Sequence, residues 1–128
     1  MEPIRPDDGR VDTELEAVVL SVSDVDRTRH FYRALGFRLV RDDVVDDGLR
    51  IVQLTPPGSA CSIVIGTGVS PAPPGSSRLV LKVDDVKQAC AELHARGAAL
   101  GPVTRCSAST SYAGFSDPDG NQWLLVEG

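Results

Sequence analysis

Two stretches of eight residues decide the fold: Val18-Val-Leu-Ser-Val-Ser-Asp-Val25 and Leu79-Val-Leu-Lys-Val-Asp-Asp-Val86. The second stretch begins 61 residues after the first. Each stretch opens with apolar and β-branched residues typical of a buried strand, and closes with an aspartate of the kind that caps a helix. This internal repeat predicts that the chain contains two copies of one structural unit.

The segments that follow the two stretches support the repeat. Apolar residues recur at three- and four-residue spacing up to Leu35, which predicts a helix that ends at Gly36 in a left-handed cap. A second helix is predicted from about Val86 to Arg96, and Gly97 follows it. Three short strands are predicted after each helix. In the first unit they lie near residues 37–41, 50–54 and 61–65, and in the second near residues 98–103, 112–116 and 122–127. The acidic segment 42–48 is predicted to be a solvated turn.

Together the two units predict a fold of the α+β class. The one-sided sheet of a single β-α-β-β-β unit cannot close its own core, so two units should pair into a curved mixed or antiparallel sheet. The helices then lie outside and the concave face forms a cup. We expect a flexible tail over residues 1–13 and a single domain over residues 14–128. The units span about residues 14–68 and 76–128, joined by a loop rich in glycine, proline and serine.

Composition narrows the classes of function. The net charge of −5 and the pI near 4.9 argue against binding to nucleic acid. No apolar run is long enough to span a bilayer, which predicts that the chain has no membrane segment. Three cysteines without C-x-x-C spacing and the absence of a secretory leader predict a reducing cytoplasm. The sequence leaves open which of Cys61, Cys90 and Cys106 line the cup.

Three motifs carry a resemblance to a known family. They are Val22-x-Asp24 followed by Phe31-Tyr32-x-x-Leu35-Gly36-Phe37, then Val83-Asp-Asp-Val86, and finally Phe115-x-Asp117-Pro-Asp-Gly-Asn121. In this order and spacing they resemble the glyoxalase/bleomycin resistance protein/dioxygenase superfamily, also called the vicinal oxygen chelate superfamily. The resemblance runs from about Leu15 to Glu127. It implies the cup-shaped fold and a homodimer, with sites often shared between chains.

The resemblance also implies four positions at which members of that superfamily usually bind a divalent metal through His, Gln or Glu. In this sequence the positions fall on Ala17, about Ser62, Arg78 and Leu124. Alanine and leucine have no donor atom, a serine hydroxyl is a weak neutral ligand, and a guanidinium repels a cation. We therefore expect neither a metal nor another cofactor. This departure from the family pattern weakens the case for lyase or dioxygenase chemistry.

Arg78 is the leading candidate for ligand binding. Strand alternation places Arg78, Val80 and Lys82 on one face, where the guanidinium can grip a carboxylate, phosphate or enolate through two parallel hydrogen bonds. The alternative is an ion pair with a carboxylate of the protein itself. The other candidates are polar or aromatic groups on predicted strands: Ser62, Gln53, Tyr112, Ser116 and Gln122.

Two functions from different classes fit these observations. The first is binding of a small organic molecule in the cup without metal, with metal-free acid-base chemistry (an isomerase, lyase or cyclase step) left open. The second is sequestration of an antibiotic without catalysis, as in bleomycin-resistance members. A metal-dependent glyoxalase or dioxygenase is the least favoured reading. Turnover needs a titratable group that converges on the ligand, so the side chains around the cup discriminate between binding and catalysis.

Overall fold

The computed structural model describes residues 9–105 and 110–128, and its elements follow the repeat. The first unit comprises β1 (Ala17–Val19), α1 (Val25–Ala34), β2 (Arg38–Asp46), β3 (Leu49–Thr55) and β4 (Ser62–Thr67). The second unit comprises β5 (Arg78–Val83), α2 (Val86–Ala95), β6 (Thr104–Arg105), β7 (Ser111–Ser116) and β8 (Gln122–Glu127). Each unit therefore has the order β-α-β-β-β that the sequence predicts.

The two helices begin and end in the same way. The side chains of Asp24 and Asp85 each accept a hydrogen bond of 3.0 Å from the backbone N–H three residues further on. Past the other ends, Gly36 and Gly97 have φ angles of 102° and 111°, which residues with a side chain rarely adopt. The repeated capping residues thus fix both helix lengths. Within the described ranges no helix is long and apolar enough to cross a membrane.

The strands form two four-stranded mixed sheets. The first sheet has the order β1-β4-β3-β2 and the second has the order β5-β8-β7-β6. In each sheet the first strand of the unit runs parallel to the last, and the other neighbours are antiparallel. The helix α1 packs against β3 and β4, and α2 packs against β7 and β8. Each sheet thus has one face covered by a helix and an opposite face left open.

One hydrophobic core contains residues of both units. Tyr32 and Phe37 of the first unit meet Trp123 of the second, with ring centroids 5.8 and 5.7 Å apart. Leu54 and Leu125, one from each sheet, are completely buried in the same cluster. Because these side chains remove apolar surface from water by packing across the two units, neither unit completes its core alone.

A buried polar network ties α1 to the turn before β8. Trp123 Nε1 donates to the Tyr32 hydroxyl at 2.9 Å, and that hydroxyl donates to Asp117 Oδ2 at 2.8 Å. Asn121 Nδ2 donates to Asp117 at 2.9 Å and to the Ser21 carbonyl oxygen at 3.2 Å. Burial first, and the charge of Asp117 second, raise the pKa of Tyr32 above its ordinary value. The segment from Asp117 to Asn121 therefore connects the two units as well as forming a turn.

The acidic segment of the first unit differs from the sequence prediction of a solvated turn. The strand β2 extends to Asp46, so the turn contains only residues 47–48. Asp42 is held within the strand because Arg29 donates to it and Arg50 donates to both of its oxygens, at 3.0 and 2.9 Å. For Asp42, pairing with basic residues of α1 and β3 replaces the hydration that the prediction assumed. Residues 43–48 are exposed, as the prediction expects.

The strand predicted near residues 98–103 is also displaced, since β6 covers only Thr104–Arg105. The preceding segment follows the sheet through one backbone hydrogen bond of 2.8 Å from Gly101 to the carbonyl oxygen of Gly114. Pro102 has no N–H to donate, which interrupts a strand ladder at this point. The apolar pattern of the segment therefore reflects the burial of Ala98 and not a strand.

Candidate ligand-binding site

A cavity of about 660 Å³ lies over the open face of the second sheet. Its walls come from β5, β7 and β8, with Ala99 at one side. This volume falls in the range of pockets that hold small organic ligands, roughly 300–1,000 Å³. The lining residues are Arg78, Leu79, Val80, Ala99, Gly114, Phe115, Ser116, Gln122, Trp123 and Leu124.

Strand register aligns three of the candidate polar residues in one row across the cavity. Arg78 pairs with Gln122 between β5 and β8, and Gln122 pairs with Ser116 between β8 and β7. Adjacent strands are about 4.8 Å apart, so the row spans roughly 10 Å. All three residues are exposed. The sheet therefore presents a cation, an amide and a hydroxyl side by side.

The next row along the strands is apolar. Val80 pairs with Leu124, and Leu124 pairs with Gly114. Val80 is 66% exposed and Leu124 is 37% exposed, although valine and leucine are among the residues most often buried. Gly114 contributes no side chain, so the surface is low at that point. These three residues form an apolar floor beside the polar row.

Two stacked aromatic rings support the floor from the core side. Phe115 pairs with Trp123 across β7 and β8, and their rings lie 6.0 Å apart and only 4° from parallel. Both residues are buried, and the hydrogen bond to Tyr32 holds the Trp123 indole in place. A ligand on the floor would meet an ordered surface, which lowers the entropy cost of binding.

Arg78 has no partner from the protein within residues 9–105 and 110–128. No carboxylate in those ranges pairs with its guanidinium, whereas Arg41 and Arg50 each pair with an aspartate. The alternation of β5 leaves Arg78 exposed, and Leu79 packs against the core. The internal ion pair considered from the sequence is therefore not formed with any described residue. The guanidinium keeps its N–H donors for a ligand.

The four positions at which the family resemblance predicts metal ligands do not carry suitable donors. Ala17 lies opposite Ser62 in the β1–β4 register. The Ser62 hydroxyl is buried and lies 2.7 Å from the hydroxyl of Thr55. Arg78 and Leu124 supply a cation and a hydrocarbon. Among the described residues, no group of three or more His, Cys, Asp or Glu side chains could hold an ion. This donor chemistry does not fit a divalent metal.

The remaining candidate residues lie apart from the polar row. Ser62 lines a second cavity of about 300 Å³ between the two sheets, which Arg78 also borders. Gln53 lies on β3 and donates to Glu16 at 3.3 Å. Tyr112 lies on the open face of β7 but lines neither cavity. The structure thus brings three of the six candidates together in the larger cavity: Arg78, Ser116 and Gln122. Ser62 lines only the second cavity, which it shares with Arg78. Gln53 and Tyr112 lie outside both cavities.

Titratable groups other than Arg78 are missing from the described lining of the larger cavity. That lining contains no His, Asp, Glu, Cys, Lys or Tyr. The two histidines, His30 and His94, are exposed on the helices. Cys61 borders only the second cavity, and burial raises the pKa of the Cys90 thiol on α2. Cys106 lies outside the described residues.

The apolar half of the cavity is the part that sequence reasoning missed. Val80 and Gly114 were not among the predicted site residues. Their signal is register: when β8 runs parallel to β5, residues two positions from Arg78 and Ser116 fall into one row. Alternation along one strand predicts which face a residue occupies, but it does not predict the partner residue on the neighbouring strand.

Comparison with known proteins assigns the chain to a family. The family model described as the Glyoxalase/Bleomycin resistance protein/Dioxygenase superfamily matches residues 14–125. The chain belongs to this superfamily, as its three motifs predict. A curated relative, an uncharacterised protein of Mycolicibacterium smegmatis, is 34% identical over 89 residues, which cover 70% of this chain and 72% of that protein.

Solved structures of the same superfamily share the fold. TnmS3, described as an antibiotic binding protein from Streptomyces sp. CB03234, is 33% identical with a TM-score of 0.80, covering 92% of this chain and 98% of that chain. A glyoxalase/bleomycin resistance protein from the same organism is 36% identical with a TM-score of 0.74, and the match covers 88% of this chain and 98% of that chain. A superfamily member from Sphaerobacter thermophilus is 28% identical with a TM-score of 0.77, and the match covers 91% of this chain and 98% of that chain.

Proposed function

We propose that this protein binds a small organic molecule of the antibiotic type in the cavity over the second sheet, without a metal, and releases it unchanged. The composition of the cavity wall carries the proposal. Hydrogen-bonding groups stand beside an apolar floor, and the described lining has no acid-base group. Such a wall can hold and orient a ligand, whereas general acid-base catalysis needs a side chain that gives or takes a proton near neutral pH.

The relatives support the class of ligand. TnmS3, at one third sequence identity, is described as antibiotic binding, and a second Streptomyces relative is described as a glyoxalase/bleomycin resistance protein. A protein that sequesters a compound needs affinity and slow release rather than turnover. The second candidate, a metal-free isomerase, lyase or cyclase, is disfavoured because Arg78 is the only ionisable side chain in the described lining.

Screening combined with chemical analysis of the bound compound tests this proposal. Purified, untagged protein is incubated with a panel of antibiotics and examined by native mass spectrometry, with and without EDTA. We expect a one-to-one complex that survives EDTA, and the compound released on denaturation should keep its original mass. Recovery of an altered compound would assign an enzyme instead. Loss of the complex in EDTA would assign a metal site.

A matched pair of substitutions locates the site. Val80 and Val44 are both strand valines, 66% and 77% exposed, but only Val80 lines the cavity. We expect Val80→Trp to weaken ligand binding about tenfold or more, equivalent to about 1.4 kcal/mol, because the indole occupies the space of the ligand. Val44→Trp should leave the affinity within about twofold. Equal affinities in the two variants would place the ligand elsewhere.

A further inference from the structure

The only charge in the described lining of the larger cavity indicates which ligands it takes. We infer that the ligand carries a carboxylate, which Arg78 binds, and a flat apolar body, which lies over Val80 and Leu124. This inference rests on the proposed function and adds the chemical class of the ligand. Arg78 borders both cavities and pairs with no described acidic residue, so its guanidinium can bind a carboxylate of the ligand.

The overall charge of the chain opposes this assignment, and distance decides which effect prevails. The chain has 18 acidic and 13 basic residues, so an anion in solution is repelled on average. At physiological salt, interactions between exposed charges fade beyond about 8 Å. A carboxylate in contact with Arg78 lies well within that distance, in a partly enclosed cavity where water screens less. The local attraction therefore exceeds the remote repulsion.

The neighbours of Arg78 favour an anion as well. Gln122 and Ser116 stand beside it and can both donate hydrogen bonds. A carboxylate accepts the two parallel N–H bonds of a guanidinium and keeps lone pairs for further donors. A cationic ligand would face Arg78 without a compensating carboxylate in the described lining. A neutral ligand can accept hydrogen bonds through a carbonyl oxygen, but it leaves the positive charge of a partly desolvated guanidinium uncompensated, which is costly.

The floor favours a flat ligand. A Cβ added to Gly114 would lie 3.3 Å from the carbonyl oxygen of Trp123, tighter than ordinary contact. A larger residue at this position would therefore require that carbonyl oxygen to shift by a few tenths of an ångström and would fill the low part of the floor. The polar and apolar rows are about 7 Å apart along the strands. A carboxylate joined directly to a ring system can place its acidic group on one row and its ring on the other.

Matched pairs of probes test the assignment. Fluorinated aromatic carboxylic acids, each paired with its own primary amide, are titrated with the full-length protein and followed by ¹⁹F NMR. We expect the acids to bind about tenfold more tightly than the amides. In Arg78→Ala this preference should disappear through weaker binding of the acids. Arg78→Lys should restore only part of it, because lysine keeps the charge but lacks the planar fork.

Lys82→Ala is the matched control for the loss of charge. Lys82 lies four residues beyond Arg78 in β5, on the same exposed face, but it lines neither cavity. Its removal should leave acid binding within about twofold. Equal affinities for acids and amides would overturn the carboxylate assignment, and so would an equal loss of acid affinity in Arg78→Ala and Lys82→Ala. In either case binding in the cavity would still stand. If no probe binds and Val80→Trp affects no ligand, the proposed function is overturned with it.

Discussion

Asp42 lies in β2 between two arginines that come from other elements. Arg50 of β3 donates to both of its carboxylate oxygens, and Arg29 of α1 donates to one of them. The hydrogen bonds from Arg50, more than any other effect, hold the pKa of Asp42 below its ordinary value. The same pairing raises the pKa of Arg50. The cluster therefore stabilises the fold only while Asp42 is ionised.

We expect Asp42→Asn to lower the free energy of unfolding at pH 7 by about 1 kcal/mol. The folded-state pKa of Asp42 lies below its unfolded value of about 3.9. The contribution of the ion pairs is therefore fully present above the unfolded pKa and is lost as the pH falls through the folded pKa. Urea denaturation at several pH values should show the difference between wild type and variant shrinking below about pH 4.

Asp43→Asn is the control, because it removes the same charge one residue further along β2. Asp43 pairs with Arg41 at 2.7 Å, and the side chains are 52% and 44% exposed. Exposed ion pairs contribute little, so this variant should change the free energy of unfolding by less than about 0.5 kcal/mol. Equal losses in the two variants would contradict a specific contribution from the cluster around Asp42.

The environment of a single residue was predictable from the sequence where it depends only on neighbours in the same strand. The exposure of Arg78 follows from alternation within one strand, which the sequence displays directly. The pairing of Asp42 was not predictable, because its partners lie 8 and 13 residues away and meet it only after β2, β3 and α1 pack. A run of acidic residues has the same appearance in a sequence whether it is solvated or paired.

At the scale of elements, the hydroxyl of Tyr32 connects α1 to β8. We expect Tyr32→Phe to lower the free energy of unfolding by about 2 kcal/mol, because the buried Trp123 Nε1–H loses its acceptor and Asp117 loses a donor. The measurement is urea denaturation at pH 7. Near-ultraviolet circular dichroism should also change, since Trp123 is the only tryptophan in the chain.

Tyr112→Phe is the matched control, since the chain has only two tyrosines. Tyr112 is half-buried on β7, and its hydroxyl makes no hydrogen bond to a described residue. Removing that hydroxyl should change the free energy of unfolding by no more than about 0.5 kcal/mol. A loss in Tyr112→Phe as large as in Tyr32→Phe would mean that the network does not stabilise the contact between α1 and β8.

The helices were predicted more closely than the strands, for a physical reason. The limits of α1 and α2 depend on caps a few residues away, such as Asp24 and Gly36, and these are visible in the sequence. The limits of a strand depend on its partner. The strand β2 continues to Asp46 because β3 offers backbone groups along that whole length, and no signal within β2 itself reveals this.

For the whole molecule, the repeat in sequence does not imply two independent domains. Tyr32, Phe37 and Leu54 of the first unit share a core with Trp123 and Leu125 of the second. We therefore expect one cooperative unfolding transition in urea. Trp123 fluorescence, which reports on the shared core, and far-ultraviolet circular dichroism, which reports on both helices, should give coincident midpoints. Separate midpoints would show that the units unfold independently.

The same argument predicts that neither unit folds alone. A fragment of residues 14–68 would expose Tyr32, Phe37 and Leu54 where the second unit now covers part of their surface. Full exposure of such a side chain costs roughly 1.5–3 kcal/mol, so even partial exposure of three of them removes a substantial part of the 5–15 kcal/mol that stabilises a typical domain. We expect this fragment to show little helical circular dichroism until a fragment of residues 76–128 is added. A helical, cooperatively melting 14–68 fragment would mean that its own contacts suffice and that the shared core contributes only to the shape of the cup.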